Sequence, residues 1–389
     1  MISANVPSGF LCPQLRKVAW TSWGQRTFNN LFVSSRLTAF EFSSRDIEAI
    51  AGLASVMTEL QTPCLRTLNI EFSPLEDPLS TNVTTALSSF VLRCGSLLTE
   101  IVILVPLTDA AIRHIMQLPE LTLWETKSRP PDVPGLSPLD TFPKLERIYL
   151  RSVEAINWLP FFKTDTYRAS SNQVTHVPRN RGPYQTLTTI YCDYAASCQV
   201  NAAFMSPVML FRGLNTLHLE WICSTGWCGF RLTDDDVGEM AAALPNLTAL
   251  DLGSICSADS CQTTVASLLI ISTCCKHLKV LRTHFRTGNL LHDLDSMPSN
   301  PRLHGLFQLP RCRVRGLCLS NAPVRMGSDC YKRVAEGFIS IFPSIDWVYG
   351  NGRVWPLVDK ELERLRGSRR DPTSRGLGDP YFNLLADAF

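Results

Sequence analysis

The segment Leu244-Pro245-Asn246-Leu247-Thr248-Ala249-Leu250-Asp251-Leu252 carries a short pattern: apolar, two residues, apolar, one residue, apolar. Leu247, Leu250 and Leu252 are its apolar positions. The proline three residues after Ala242 stops a helix, because it has no N–H to give and its ring clashes with the preceding turn. The residues after it then form a strand of alternating faces, with Leu250 and Leu252 on one face and Asp251 on the other.

The same pattern recurs along the chain. Toward the N-terminus it is met at Leu214, Leu217, Leu219; at Leu187, Ile190, Cys192; and at Leu145, Ile148, Leu150. Earlier copies are Leu98, Ile101, Ile103; Leu65, Leu68, Ile70; Leu37, Phe40, Phe42; and Leu15, Val18, Trp20. Later ones are Val314, Leu317, Leu319 and the poorer Ile345, Val348, Gly350. Two degraded copies, Leu121, Trp124, Thr126 and Leu278, Leu281, Thr283, complete a set of about twelve, spaced about 22 to 42 residues apart.

An apolar residue or Cys followed by Pro often precedes the pattern, at Cys12-Pro13, Leu118-Pro119, Phe142-Pro143, Leu244-Pro245 and Phe342-Pro343. Helices fill the intervals. Thr108 and Thr233 stand where the first free helical N–H groups need an acceptor, opening Ala110 to Leu118 and Asp235 to Leu244. Ser44 does the same ahead of Asp46 to Leu60. The unit is strand, loop, helix, turn. We expect an α/β fold: a leucine-rich-repeat solenoid, or horseshoe, of about twelve irregular strand-helix repeats. The repeat domain spans 1–350, with insertions at 127–141 and 163–185 that read as disordered, and a flexible C-terminal tail at 351–389 that includes a charged helix over Asp359 to Arg366.

Composition fits a folded chain. Of 389 residues, 45% are apolar and 19% charged, and the net charge of +2 gives no broad basic field for nucleic acid. The apolar run Val265 to Cys275 is too short to span a bilayer. Met1 to Phe10 has no secretory pattern, so the 14 cysteines read as reduced thiols in the cytosol or nucleus.

Phe142-Pro143-Lys144-Leu145-Glu146-Arg147-Ile148-Tyr149-Leu150 and the Leu244 to Leu252 segment resemble repeats of the F-box-associated leucine-rich-repeat proteins, the expanded fungal members most of all. Leu107-Thr108-Asp109-Ala110-Ala111 and the stretch Thr263 to Cys275 ahead of Lys276-His277-Leu278 share the style. The resemblance implies a non-enzymatic protein-binding module, like the substrate-recognition part of an F-box subunit of a cullin-type ubiquitin ligase. The first repeat begins at Leu15 and no F-box precedes it, so adaptor docking is implied only if an F-box is supplied upstream. The alternative is a standalone scaffold or inhibitor using the same face.

That face is read from the residues between the buried positions. It is acidic first, at Glu41, Glu71, Glu100 and Glu125. It turns aromatic and basic at Arg147, Tyr149, Arg151 and Tyr191. Asp193, His218, Glu220, Asp251, Arg282 and His284 come next, and Trp347 and Tyr349 close it. Tyr, Trp and Arg suit protein binding because they bury a large area with few torsions and still hydrogen-bond. The expected partner is a protein; neither membrane nor nucleic acid is expected.

No cofactor is expected, and no hydrolase, zincin or phosphate-loop motif occurs. Cys223 and Cys228, and Cys256 and Cys261, begin four residues after the last strand positions of successive repeats. They read as reduced loop thiols; the alternative is a tetrahedral zinc site, since stacking brings equivalent positions to about 5 Å.

Overall fold

The computed structural model describes residues 14–22, 35–45, 53, 57, 63–72, 81–131, 141–151, 157–162, 183–195, 199–222, 229–255, 261–286, 288–319, 330–350 and 353–367. It divides into two compact units, residues 1–187 and 188–389.

The first unit carries six strands: β1 Lys17–Ser22, β2 Ala39–Ser44, β3 Thr67–Phe72, β4 Glu100–Ile103, β5 Leu123–Thr126 and β6 Arg147–Leu150. Each pairs in parallel with the next. The second carries β7 Thr189–Ala195, β8 Thr216–Ile222, β9 Ala249–Leu252, the two-residue β10 Ser254–Ile255, β11 Val280–Thr283, β12 Gly316–Leu319 and β13 Trp347–Gly350. These too pair in parallel in chain order, with β10 prolonging the contact with β8.

Every leucine-type triplet ends on one of these strands, the two degraded copies included. Register explains why. Leu217 stands opposite Leu250, and Leu250 opposite Leu281, so equivalent apolar residues stack in rows. All three are buried. The degraded triplets survive because Trp124 fills a buried site and because Thr126 and Thr283 are buried at the position of the third leucine. Thr126 is used there: its hydroxyl accepts from Ser128 N–H at 2.9 Å. The triplet at Leu15, Val18 and Trp20 is half-buried, on a strand whose one described neighbour is β2.

A second repeat lies in the backbone. The carbonyl just before most strands accepts two successive N–H groups from the next repeat. Thr248 and Ala249 donate to Asn215 at 2.7 and 3.1 Å, and Lys279 and Val280 donate to Thr248 at 2.8 and 3.3 Å. The same pair recurs from Arg16 through Thr122 in the first unit. Where the residue is Thr, its hydroxyl adds a third bond, as Thr38 to Arg16, Thr99 to Arg66 and Thr248 to Asn215. This satisfies backbone groups that would otherwise be lost at the edge of the sheet.

Helices fill the intervals: α1 Thr81–Arg93, α2 Asp109–Met116, α3 Asp234–Ala243, α4 Val265–Cys274, α5 Leu290–Ser296 and α6 Cys330–Ile341. α2 and α3 start at the expected caps. Thr108 accepts from Ala111 N–H, and Thr233 forms a reciprocal capping box with Asp236. Asp234 also links neighbouring helices, accepting from Thr264 N–H at 2.8 Å and Thr264 Oγ1 at 2.7 Å. The helix expected over Asp46 to Leu60 lies largely outside the described residues; within that range Leu53 and Met57 are helical and buried.

The insertion at 127–141 is partly packed. Ser128 is buried; its hydroxyl accepts from Leu107 N–H and donates to Val105 O, and its carbonyl takes the Trp158 indole N–H at 2.9 Å. Trp124 and Trp158 meet edge to face at 4.7 Å, closing an aromatic cluster with Phe142 and Phe162. Phe142 holds a left-handed backbone, φ 53°, within that packing. Residues 132–140 and 163–182 lie outside the described residues.

A helix, α7, spans Trp355–Arg366, four residues earlier than the charged helix read from sequence. Trp355, Val358 and Leu362 are buried, and Asp359 accepts from Val348 N–H of β13 at 3.0 Å. The charges conceal an amphipathic stripe, so the packed array continues to Gly367. Residues 368–389 lie outside the described residues.

Candidate functional site

In the first unit the expected binding residues fall on the second face of the strands, where burial alternates with the core positions. Four acidic side chains are not an open negative patch. Lys17 Nζ lies 2.6 Å from Glu41, Arg147 lies 3.6 Å from Glu100, and Arg151 Nε lies 2.7 Å from Glu125. Glu71 accepts from Asn69 Nδ2 at 3.0 Å. Arg147 on β6 and Arg151 just after it thus reach sideways to acids on earlier strands, and offset two of the four, Glu100 and Glu125. Tyr149 lies between the two arginines, half-buried, with the Arg151 guanidinium 5.9 Å from its ring centre. Burial raises its phenol pKa, and the two arginines only partly offset this. Arg147, Tyr149 and Arg151 together form a compact aromatic-basic group, all partly accessible.

The second unit differs. His218, Asp251 and His284 were expected to face solvent, yet they are 2%, 2% and 4% exposed. Every residue of β9 and of β12 is buried, so the outer face is covered there. The physical reason is sideways reach. Asp251 stands between His218 and Arg282 in register. His218 Nδ1 lies 2.6 Å from its carboxylate, and Arg282 Nη1 lies 3.5 Å from it. Gly253 N–H donates to Asp251 Oδ1 at 2.7 Å. A Cβ at Gly253 would overlap both Arg282 and Asp251, so glycine is what lets the guanidinium lie flat there. That glycine, two residues after an aspartate, is the sequence signal that a sideways cover was present.

Around this centre, His218 Nε2 lies 3.4 Å from Glu220 and Arg282 lies 3.8 Å from the same carboxylate. Neither ring nitrogen of His218 is well aligned for a hydrogen bond; the contacts are charge contacts. Tyr191 stacks on His218 with ring centres 3.9 Å apart and planes 7° apart. Burial disfavours the imidazolium, but Asp251 and then Glu220 outweigh it, and the His218 pKa is raised. The His218 contact, helped by Arg282, lowers that of Glu220 against burial. An Asp–His pair invites comparison with a catalytic dyad. Here the nitrogen that would meet a substrate faces Glu220 instead, so the ring is held as a charge partner and not offered as a base.

The remaining expected residues divide. Asp193 is partly accessible on β7, opposite Glu220 in register. His284 is a packing residue whose carbonyl takes the Thr263 hydroxyl at 2.8 Å and the Cys261 thiol at 3.6 Å. Trp347 is half-buried over Gly316, whose missing side chain makes room for the indole. Tyr349 is 42% exposed. Sequence reading passed over Lys17, Asn69 and Val102, which occupy the same face; Asn69 and Val102 continue the row of Glu41.

Of the zinc candidates, Cys223, Cys228 and Cys256 lie outside the described residues. Cys261 is a buried free thiol 2.8 Å from Thr263 Oγ1. Among the described residues no group of His, Cys, Asp or Glu has the arrangement of a metal centre, and no helix is long and apolar enough to cross a membrane. Compared with known proteins, the sequence matches no family model and no curated protein.

Proposed function

We propose that this chain is a non-enzymatic protein-binding module of the leucine-rich-repeat type, working as the substrate-recognition part of an F-box subunit does in a cullin-type ubiquitin ligase. The supporting observation is the group Arg147 and Tyr149 on β6 with Arg151 just after it. Three partly accessible side chains of hot-spot type stand side by side at a strand that β5 holds in register. Tyr349 and Trp347 offer a similar pair on β13. The strands give rigidity, so little ordering entropy is lost on binding. The repeat identity and horseshoe shape belong to this proposal, as does action in the cytoplasm or nucleus.

The test is affinity capture with the full chain, read by mass spectrometry, against Tyr149→Ala and Tyr349→Ala variants that keep the parent melting temperature. A protein retained by the parent and lost at least tenfold from one variant supports the reading. Identical captures from all three would refute the choice of face. Co-purification of the ligase adaptor, with any upstream sequence restored, separates a receptor from a standalone scaffold.

A further inference from the structure

The buried charges of the second unit are balanced in one protonation state. Asp251 and Glu220 bring two negative charges, Arg282 brings one positive charge, and His218 supplies the fourth member. With His218 protonated these four sum to zero. Without that proton they carry a net negative charge inside a site where His218 and Asp251 are almost fully removed from water; Asp193 on β7 stands opposite Glu220 in either state.

Geometry states the same requirement independently. Both ring nitrogens of His218 face a carboxylate, at 2.6 and 3.4 Å. A neutral imidazole has one N–H; its other nitrogen presents a lone pair. In either tautomer the unprotonated nitrogen would then lie beside a negative oxygen. Only the imidazolium offers N–H on both sides. The groups around it among the described residues are Tyr191 and Asp193 on β7, Glu220 on β8, Asp251 on β9, and Arg282 with His284 from β11 and the residue after it. Arg282 opposes a second positive charge, yet it is shared between the same two carboxylates.

We propose that His218 is a pH-operated latch: as the imidazolium it clamps β8 to β9 through Asp251 and holds Glu220 inward, and on losing its proton it releases Glu220 to solvent. Tyr191, stacked on the ring, moves with it, so the accessible edge of β7 and β8 changes shape and gains negative charge. Release on alkalinisation is set by the sign of the shift. A histidine raised in the folded state stabilises fully below its unfolded value, near 6.5, and loses that contribution as pH rises through its folded value.

The experiment is nitrogen-15 NMR of the histidine rings in the full chain, titrated from pH 5 to 10. The His218 signals are assigned by their absence in His218→Gln or, should that variant not fold, by their displacement in Tyr191→Leu, which removes the ring current. Both nitrogens are expected to keep imidazolium positions to a higher pH than those of the exposed histidine His304 in the same chain. Glu220→Gln, at a partly exposed site, is expected to lower the midpoint by about one pH unit, because it removes one of two stabilising charges. Amide exchange of β8 and β9 in the parent should quicken through the same midpoint beyond the intrinsic pH effect. A midpoint at or below the ordinary histidine value, or one unmoved by Glu220→Gln, overturns the latch.

Discussion

Replacing Leu250 by alanine tests the stacked rows most directly. Leu250 is 1% exposed and stands in register between Leu217 and Leu281, which are fully buried. Truncation removes three carbons from that row. At about 0.8 kcal/mol per buried methylene the transfer loss alone is about 2.4 kcal/mol. Strands on both sides restrain collapse, so a cavity contribution brings the cost to about 3–5 kcal/mol. Val18 occupies the equivalent position on β1 but is half-buried and loses only two carbons as alanine. Its cost is expected below about 1 kcal/mol. The assay is urea unfolding followed by tryptophan fluorescence and circular dichroism together, since an array that unfolds in parts would separate the two signals. A loss below about 0.5 kcal/mol for Leu250→Ala, or equal losses at the two sites, would refute the register and with it the row of leucines as the source of stability.

Thr233→Ala removes the hydroxyl half of the capping box and leaves the backbone N–H of residue 233 to donate to Asp236, and is expected to cost about 1 kcal/mol by denaturant titration. The Arg151–Glu125 pair is partly exposed, and a double-mutant cycle on it should return less than about 1 kcal/mol; a larger value would mean that it organises β5 and β6. Burial raises the Cys275 thiol to about 12 and Cys312 to about 11. Alkylation at pH 8 should therefore reach exposed Cys64 quickly and these two only on unfolding, as peptide mapping will show. Glu220 has a lowered folded-state pKa, so its stabilising contribution is present above the ordinary carboxylate value and lost as pH falls through the folded one. In a melting-temperature profile, the acid-side decline should be shallower for Glu220→Gln than for the parent.

Spacing along the chain was enough to place every described strand except the two-residue β10. A strand in a stack repeats one local pattern, and Leu-x-x-Leu-x-Leu reports which face is buried wherever it falls, even where Trp124 or Thr283 replaces a leucine. Helix starts were equally local, because a cap acts within one turn of its own residue, as Thr108 and Thr233 do. Sequence could not say which residues on the opposite face remain accessible. Asp251 and Tyr349 hold the same position in their triplets, yet one is sealed and the other open. The difference lies in the neighbours: Asp251 has His218 on one flank and Arg282 on the other, while β13 is the last strand described in its sheet, with only β12 beside Tyr349. Such cover comes from side chains about thirty residues distant, whose reach depends on strand order and register. Only the assembled sheet brings them together, and so only tertiary structure turned a row of polar residues into one accessible group and one buried charge network.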